Sequence, residues 1–134
     1  ERLRASEAAV IVAPEWGGMV PAMLKNFFLF ASDGSLYHKP GLLVGVSSGR
    51  NGAYPIAELR VSSYKNSHIQ YISEHVIIRN AEKVLNAETA DGEEDVFVRT
   101  RLDYGLSVLL EYGKALKQVR DSGVLDRKKF AFGM

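Results

Sequence analysis

Residues 9–31 read AVIVAPEWGGMVPAMLKNFFLFA, and this stretch decides how the chain folds. Its β-branched run, residues 10–12, predicts a short strand that ends at Ala13 and Pro14. The small residues that follow predict a turn. From residue 20 to residue 31 the apolar side chains recur at helical spacing. The stretch therefore predicts a strand, a loop of ligand size and a helix.

The same order of elements repeats downstream. Residues 42–47, LLVGVS, predict a second strand, and a helix is expected from about residue 54 to residue 64. Residues 75–78, HVII, predict a third strand. Residues 67–73 are expected to be a connection before it, and residues 80–93 a polar loop after it. The continuous apolar runs are typical of parallel strands that are covered on both faces.

A long helix is expected over residues 94–121, where apolar residues again recur at helical spacing. Gly105 and Gly113 lie inside it, although glycine costs about 1 kcal/mol relative to alanine in a helix. We therefore expect the two glycines to allow close packing on the sheet or on another subunit. The predicted apolar stripe consists of Leu102, Leu106, Leu109, Leu110, Gly113 and Leu116.

Strands that alternate with helices predict an α/β protein with a doubly wound parallel sheet in three layers, α/β/α. Three strands form a small parallel sheet, and two further βα units of roughly 30 residues each would complete five strands. The chain opens on Glu1 rather than on Met. We therefore expect residues 1–134 to be the C-terminal portion of one domain, truncated at its N-terminus.

Composition narrows the class of protein. The 17 Lys and Arg residues nearly balance 16 Asp and Glu residues, and no basic run is interleaved with aromatics, so nucleic acid is not an expected partner. The chain has no cysteine, which excludes disulfides, Cys-ligated metals and thiol nucleophiles and is compatible with a cytoplasmic location. No apolar run reaches the roughly 18 residues that suggest a membrane span.

Two loops could hold a ligand. In the first, two glycines allow close backbone approach, Trp16 offers a stacking face, and the next helix points its N-terminal dipole at the loop. Its alternative reading is a tight turn with a buried tryptophan. The second offers hydroxyls, backbone N–H groups and a guanidinium, and its alternative reading is a polar connection. The candidate binding residues are Pro14, Glu15, Trp16, Gly17, Gly18 and Met19 in the first loop and Ser47, Ser48, Gly49, Asn51 and Gly52 in the second.

Residues 14–26, PEWGGMVPAMLKN, resemble the P-E-Y-N-G-S-[IV]-P-x-x-L-K-N signature of NAD(P)H-dependent FMN reductases, which include quinone, azo-dye and chromate reductases. Residues 49–53, GRNGA, resemble the G-x-x-G-G loop of the same family. The resemblance covers about residues 5–80. It implies a flavodoxin-like fold in which both loops contact the flavin ring of FMN. It also implies a phosphate loop rich in Ser, Arg and Gly, which we expect upstream of Glu1.

The chain departs from the family signature at four positions. Trp16 stands in place of Tyr, and Gly17 stands in place of Asn. Met19 replaces Ser and removes a cap oxygen at the expected helix start. Ala53 replaces the second glycine. We expect these changes to alter redox tuning or substrate shape.

The resemblance implies an FMN-dependent enzyme that uses NAD(P)H as co-substrate and passes electrons to a quinone, azo compound, metal oxyanion or free flavin. The alternatives are a non-enzymatic FMN electron carrier and an interaction domain without cofactor. The family also implies a homodimer or homotetramer, with the helices over residues 20–31 and 94–121 as contact surfaces.

Other polar residues are expected to be structural. Glu15 is predicted to be a hydrogen-bonding group rather than a general base, and no catalytic side chain is predicted. The three histidines have no metal-ligand spacing, so no metal site is expected. The acidic cluster over residues 91–95 is expected to be a solvated loop.

Overall fold

Three parallel strands form the central sheet of the computed structural model, which describes residues 1–133. The strands are β1 (Ala9–Pro14), β2 (Pro40–Val46) and β3 (Gln70–Ile78), and they lie in the order β1-β2-β3. Ala13 is in register with Gly45, and Gly45 with Ile77. The carboxyl ends of all three strands therefore meet at one edge of the sheet.

Helices connect the strands and follow the last one. The segment before β1 is α1 (Arg2–Ala5), and β1 is joined to β2 by α2 (Ala22–Phe30) and a 3₁₀ turn (Ala31–Asp33). The connection from β2 to β3 contains α3 (Ala53–Ser62) and α4 (Tyr64–Ser67), and α5 (Glu93–Asp121) follows β3. None of the helices within residues 1–133 is both long and apolar enough to cross a bilayer.

Two apolar cores lie on opposite faces of the sheet. On one face, side chains of β1 and β2 such as Ile11 and Leu43 pack against α2 and α3. On the other, Leu42 and Val76 of β2 and β3 pack against α5. The arrangement has three layers, α/β/α, and confirms the predicted flavodoxin-like fold class.

The third strand begins earlier than the sequence predicted. β3 starts at Gln70 and includes Tyr71 and Ile72, so the prediction of a connection over residues 67–73 was wrong. Gln70 and Ser73 interrupt the apolar pattern, but both are exposed in the strand, so their polarity costs no burial. The Tyr71 hydroxyl lies 2.6 Å from Oγ of Ser63, the residue that follows α3.

β1 is covered on one face only. Ile11 and Ala13 are buried, whereas Val10 and Val12 are 42% and 56% exposed. The predicted burial of both faces is correct for β2 and wrong for β1, because α5 packs over β2 and β3. Within residues 1–133, no strand pairs with the outer edge of β1.

Two expectations about α5 need correction. Leu110 is 63% exposed, because the helix turns it away from its buried neighbour Leu109. Gly105 packs on the sheet, which is one of the two positions predicted for the glycines of this helix. An added Cβ there would lie 3.4 Å from both methyl carbons of Leu42. Gly113 faces the chain before β1 instead, with Glu7 O at 3.8 Å from an added Cβ.

Asp95 is 2% exposed rather than solvated. Its carboxylate accepts backbone hydrogen bonds from Leu85 (2.9 Å) and Asp91 (3.0 Å), and Arg99 Nε donates to it at 3.0 Å. These donors, the two backbone N–H groups above all, hold the pKa of Asp95 below its ordinary value. The residue fastens the loop after β3 to the first turn of α5.

Candidate functional site

The two predicted loops lie side by side at the carboxyl edge of the sheet. The first loop (residues 14–19) follows β1, and the second loop (residues 47–52) follows β2. The Glu15 backbone N–H donates to Val46 O at 2.8 Å, and the Gly52 N–H donates to Glu15 Oε2 at 2.6 Å. Glu15 is therefore a structural hydrogen-bonding group, as expected, and joins the two loops directly.

The tip of the first loop is a tight turn, called the glycine turn (residues 16–19) below. Trp16 and Met19 exchange backbone hydrogen bonds of 3.1 and 3.0 Å. Between them Gly17 and Gly18 have φ of 56° and 76°, the signs that a type I′ turn requires. Asn and Gly are the residues that adopt this conformation most readily. Glycine at position 17 therefore keeps the backbone shape that Asn would give in the family signature.

Met19 does not occupy the cap position of α2, so the expected loss of a cap oxygen was wrong. The cap residue is Pro21, with the helix beginning at Ala22. The Val20 N–H before it donates instead to Glu58 Oε2 on α3, at 2.8 Å. A carboxylate from a neighbouring helix supplies the acceptor.

The second loop is held tightly at its end. Gly52 has φ of 100°, and an added Cβ there would lie 2.7 Å from Ile77 Cγ2. A Cβ on Gly45 of β2 would lie only 2.1 Å from Gly52 O. Both positions therefore require glycine. Ala53 is the first residue of α3 and has no such requirement, which explains why this chain tolerates alanine in place of the second family glycine.

A third loop, which was predicted only as a polar connection, supports the second. Asn80 N–H donates to Gly49 O at 2.8 Å, and Ala81 N–H donates to Ser47 O at 3.1 Å. Arg79 Nε donates to Arg50 O at 2.7 Å. The signal for this contact was available, because the segment follows the carboxyl end of a predicted strand at the same edge of the sheet.

Two aromatic side chains are accessible at the site. Trp16 is 62% exposed, which excludes the alternative of a buried tryptophan. Tyr54, in the first turn of α3, is also 62% exposed, and it lines a shallow cleft with Gly18 and Glu58. Sequence reasoning did not single out Tyr54 or Glu58, because an exposed aromatic and an acidic residue in a helix have no distinctive spacing.

The free backbone donors of both loops suit the edge of a flavin ring. An isoalloxazine ring presents carbonyl and ring-nitrogen acceptors. An added Cβ at Gly18 would meet no atom of residues 1–133 within 4 Å, so a flat group can approach the backbone. The donor chemistry and the open glycine surface therefore fit FMN. Within residues 1–133, no protein acceptor takes the N–H groups of Gly17, Gly18, Ser48, Arg50 and Asn51.

The electrostatics of the site are set by paired charges. Glu58 pairs with Lys25 of α2, and this ion pair with the Val20 hydrogen bond holds the pKa of Glu58 below its ordinary value. The Glu58 carboxylate is therefore charged at neutral pH.

The three histidines do not form a cluster at the carboxyl edge of the sheet. His38 and His68 flank the starts of β2 and β3, at the opposite end of the sheet, with ring centroids 5.5 Å apart. Burial above all, with His68 and Arg120 nearby, lowers the pKa of His38. Within residues 1–133, no three metal-ligating side chains come together.

Comparison with known proteins agrees with this geometry. A protein-family model described as NADPH-dependent FMN reductase matches residues 1–83, more than half of the chain. The chain therefore belongs to the NADPH-dependent FMN reductase family. No curated protein matches it.

Among solved structures, the chain is similar to an oxidoreductase from Corynebacterium diphtheriae, determined by X-ray crystallography. The two share 14% identity with a TM-score of 0.67, which shows a common fold. The alignment covers 83% of this chain and 57% of that chain. The chain thus spans little more than half the length of this structural neighbour.

Proposed function

We propose that this chain forms the ring-binding part of an FMN-dependent NAD(P)H oxidoreductase. The observation that carries the proposal is the pairing of two loops with free N–H donors at the carboxyl edge of the sheet, in a chain of the FMN reductase family. The proposed acceptor is a quinone, azo compound, metal oxyanion or free flavin.

Bound FMN would accept a hydride from NAD(P)H and pass the electrons on, so the protein needs to bind and orient it rather than supply a nucleophile. In this proposal the N–H groups of Gly17 and Gly18 and of the second loop donate to the polar edge of the ring. Trp16 supplies a stacking surface. Glu15 is given a structural role in this proposal, because its Oε2 accepts the Gly52 N–H and joins the two loops. The remaining binding residues proposed are Pro14, Met19, Ser47, Ser48, Gly49 and Asn51.

The full-length protein tests the proposal most directly. We expect it to purify with flavin absorbance, or to take up FMN, and NADPH should bleach that absorbance without oxygen present. Protein that takes up no FMN would favour an interaction domain instead. Flavin that is bound but not reduced by NADPH would favour an electron carrier.

We also propose that the protein assembles as a homodimer or homotetramer. The solvent-facing side of α2 is strongly apolar, since Met23, Leu29 and Phe30 are 78%, 73% and 82% exposed. Exposed apolar patches of this kind mark interaction sites. Light scattering should give a mass above that of one chain, and replacing Phe30 with Glu should reduce it.

A further inference from the structure

Two carboxylates tie both ends of the glycine turn to the same helix. On one side of the turn, Glu15 Oε2 accepts the N–H of Gly52, the residue that caps α3, at 2.6 Å. On the other side, the Val20 N–H donates to Glu58 Oε2 of α3 at 2.8 Å. One carboxylate reaches from the loop to the helix, and the other reaches from the helix to the loop.

The helix that holds the turn is itself fixed to the sheet. Gly45 of β2 approaches Gly52 O so closely that no side-chain carbon fits between them. Ile56 and Leu59 of α3 are buried in the core. The contacts therefore run from β2 through the start of α3 to the glycine turn.

Charge strengthens both connections. Hydrogen bonds from backbone N–H groups to a carboxylate are about twice as strong as those between neutral groups. Glu15 also lies at the N-terminus of α3, where the helix dipole favours an anion. Lys25 pairs with Glu58 Oε1, the carboxylate oxygen that does not bind the Val20 N–H, and so helps to hold the carboxylate in place.

We propose that Glu15 and Glu58 are positioning residues that hold the glycine turn on α3, so that Trp16 and the two glycine N–H groups stay in place for a ligand. This inference rests on the proposed function, in which the turn contacts FMN. In this inference, contacts with α3 fix where the glycine turn lies, although the turn connects β1 to α2 in the sequence.

The two hydrogen bonds, Gly52 N–H to Glu15 and Val20 N–H to Glu58, are called the clasp below. Trp16 fluorescence can report on the clasp without any ligand, because Trp16 is the only tryptophan among the 134 residues. In FMN-free full-length protein, with any tryptophan outside residues 1–134 replaced by Phe, we expect Glu15→Ala and Glu58→Ala to increase the amplitude of the nanosecond decay of Trp16 fluorescence anisotropy. Glu15→Gln should restore most of the wild-type decay, since its amide oxygen still accepts the Gly52 hydrogen bond. Glu111→Ala is the matched control, because among residues 1–133 Glu111 pairs only with Lys114, on an exposed part of α5.

FMN titration provides the second measurement, read by quenching of the same tryptophan. Each alanine variant should raise the Kd for FMN about 10- to 100-fold, which corresponds to the loss of one hydrogen bond to a charged group. Glu15→Gln should recover most of the affinity. The Glu111 variant should match the wild type.

The inference is overturned if variants with wild-type circular dichroism show unchanged anisotropy, or if the Glu111 control changes as much as they do. It is also overturned if Glu15→Gln behaves like Glu15→Ala in a folded protein. If an alanine variant fails to fold, the Glu15→Gln and Glu58→Gln variants test the proposal instead. It predicts that they increase the anisotropy decay amplitude and the Kd for FMN, by less than is expected for the alanine variants. Absence of quenching by FMN in the wild type would count against the proposed function alone, since the anisotropy still tests the clasp.

Discussion

Gly45→Ala tests whether the close contact between β2 and the start of α3 fixes the site. The added methyl carbon would lie 2.1 Å from Gly52 O and 3.2 Å from Ile56 Cγ1. A normal carbon–oxygen contact is about 3.3 Å or longer, so the carbonyl would need to move by roughly 1.2 Å. Gly52 O is a backbone atom at the start of a packed helix, so no side-chain rotation relieves the clash with it.

The structure sets the expected magnitude. Overpacking in a core costs about 1–3 kcal/mol, and a backbone clash belongs at the upper end, near 3 kcal/mol. With a urea m-value of about 2 kcal/mol/M, the unfolding midpoint should fall by about 1.5 M. Displacement of Gly52 should also weaken the bond to Glu15 and lower FMN affinity.

Urea unfolding followed by circular dichroism measures the effect. Gly49→Ala is the control within the same region, because its nearest neighbour to an added Cβ is Ser47 Oγ at 4.0 Å. The control should change the free energy of unfolding by less than about 0.5 kcal/mol. A Gly45→Ala midpoint equal to that of the control would refute the reasoning, because α3 would then not depend on the contact.

Three further predictions concern stability. Gly113→Ala should stabilise the protein by about 0.5–1 kcal/mol in urea unfolding, because alanine has the higher helix propensity and the atom nearest to the added Cβ lies 3.8 Å away. A loss of stability would show that the helix cannot accept a methyl group there. The lowered pKa of Asp95 means that its charged form stabilises the fold above pH 3.8 and that this contribution is lost as the pH falls through the lowered value. Asp95→Asn should therefore be less stable at neutral pH and lose less on acidification, which thermal melts from pH 7 to pH 2 would measure. Burial raises the pKa of Tyr71 to about 12, so one of the six tyrosines should ionise late in an ultraviolet titration. The free energy of unfolding should fall as the pH rises from 10 to 12, because the unfolded chain loses the Tyr71 proton first. Tyr71→Phe should remove both effects.

The fold was predictable where the local pattern and the packing agree. The apolar runs of β1 and β2 identified two strands, and the helix expected from about residue 54 to residue 64 is found as α3, with Ile56 and Leu59 on its buried face. The start of β3 was missed because strand residues at an exposed position need not be apolar. Burial of one face of β1 depends on which helices lie over it, and the strand's own sequence does not carry that information.

The position of the candidate site was also predictable, but its connections were not. Consecutive strands of a parallel sheet bring their following loops together, so the neighbouring loops could be expected. The contacts Glu15–Gly52 and Glu58–Val20 join residues 37 and 38 positions apart, which no periodicity encodes. The burial of Asp95 was likewise not predictable, because the sequence alone does not distinguish a buried aspartate with three hydrogen-bond donors from a solvated one.

The outer edge of β1 has a consequence for handling the 134-residue chain in solution. An unpaired strand edge is a template for strands of other molecules, and natural proteins protect such edges with lysine, proline or bulges. The segment AVIVAP carries no charge, its one proline stands at the very end of the strand, and Val10 and Val12 are exposed beside that edge. We expect concentrated samples of this chain alone to become turbid by intermolecular strand addition at β1, and lysine at position 12 to delay that aggregation.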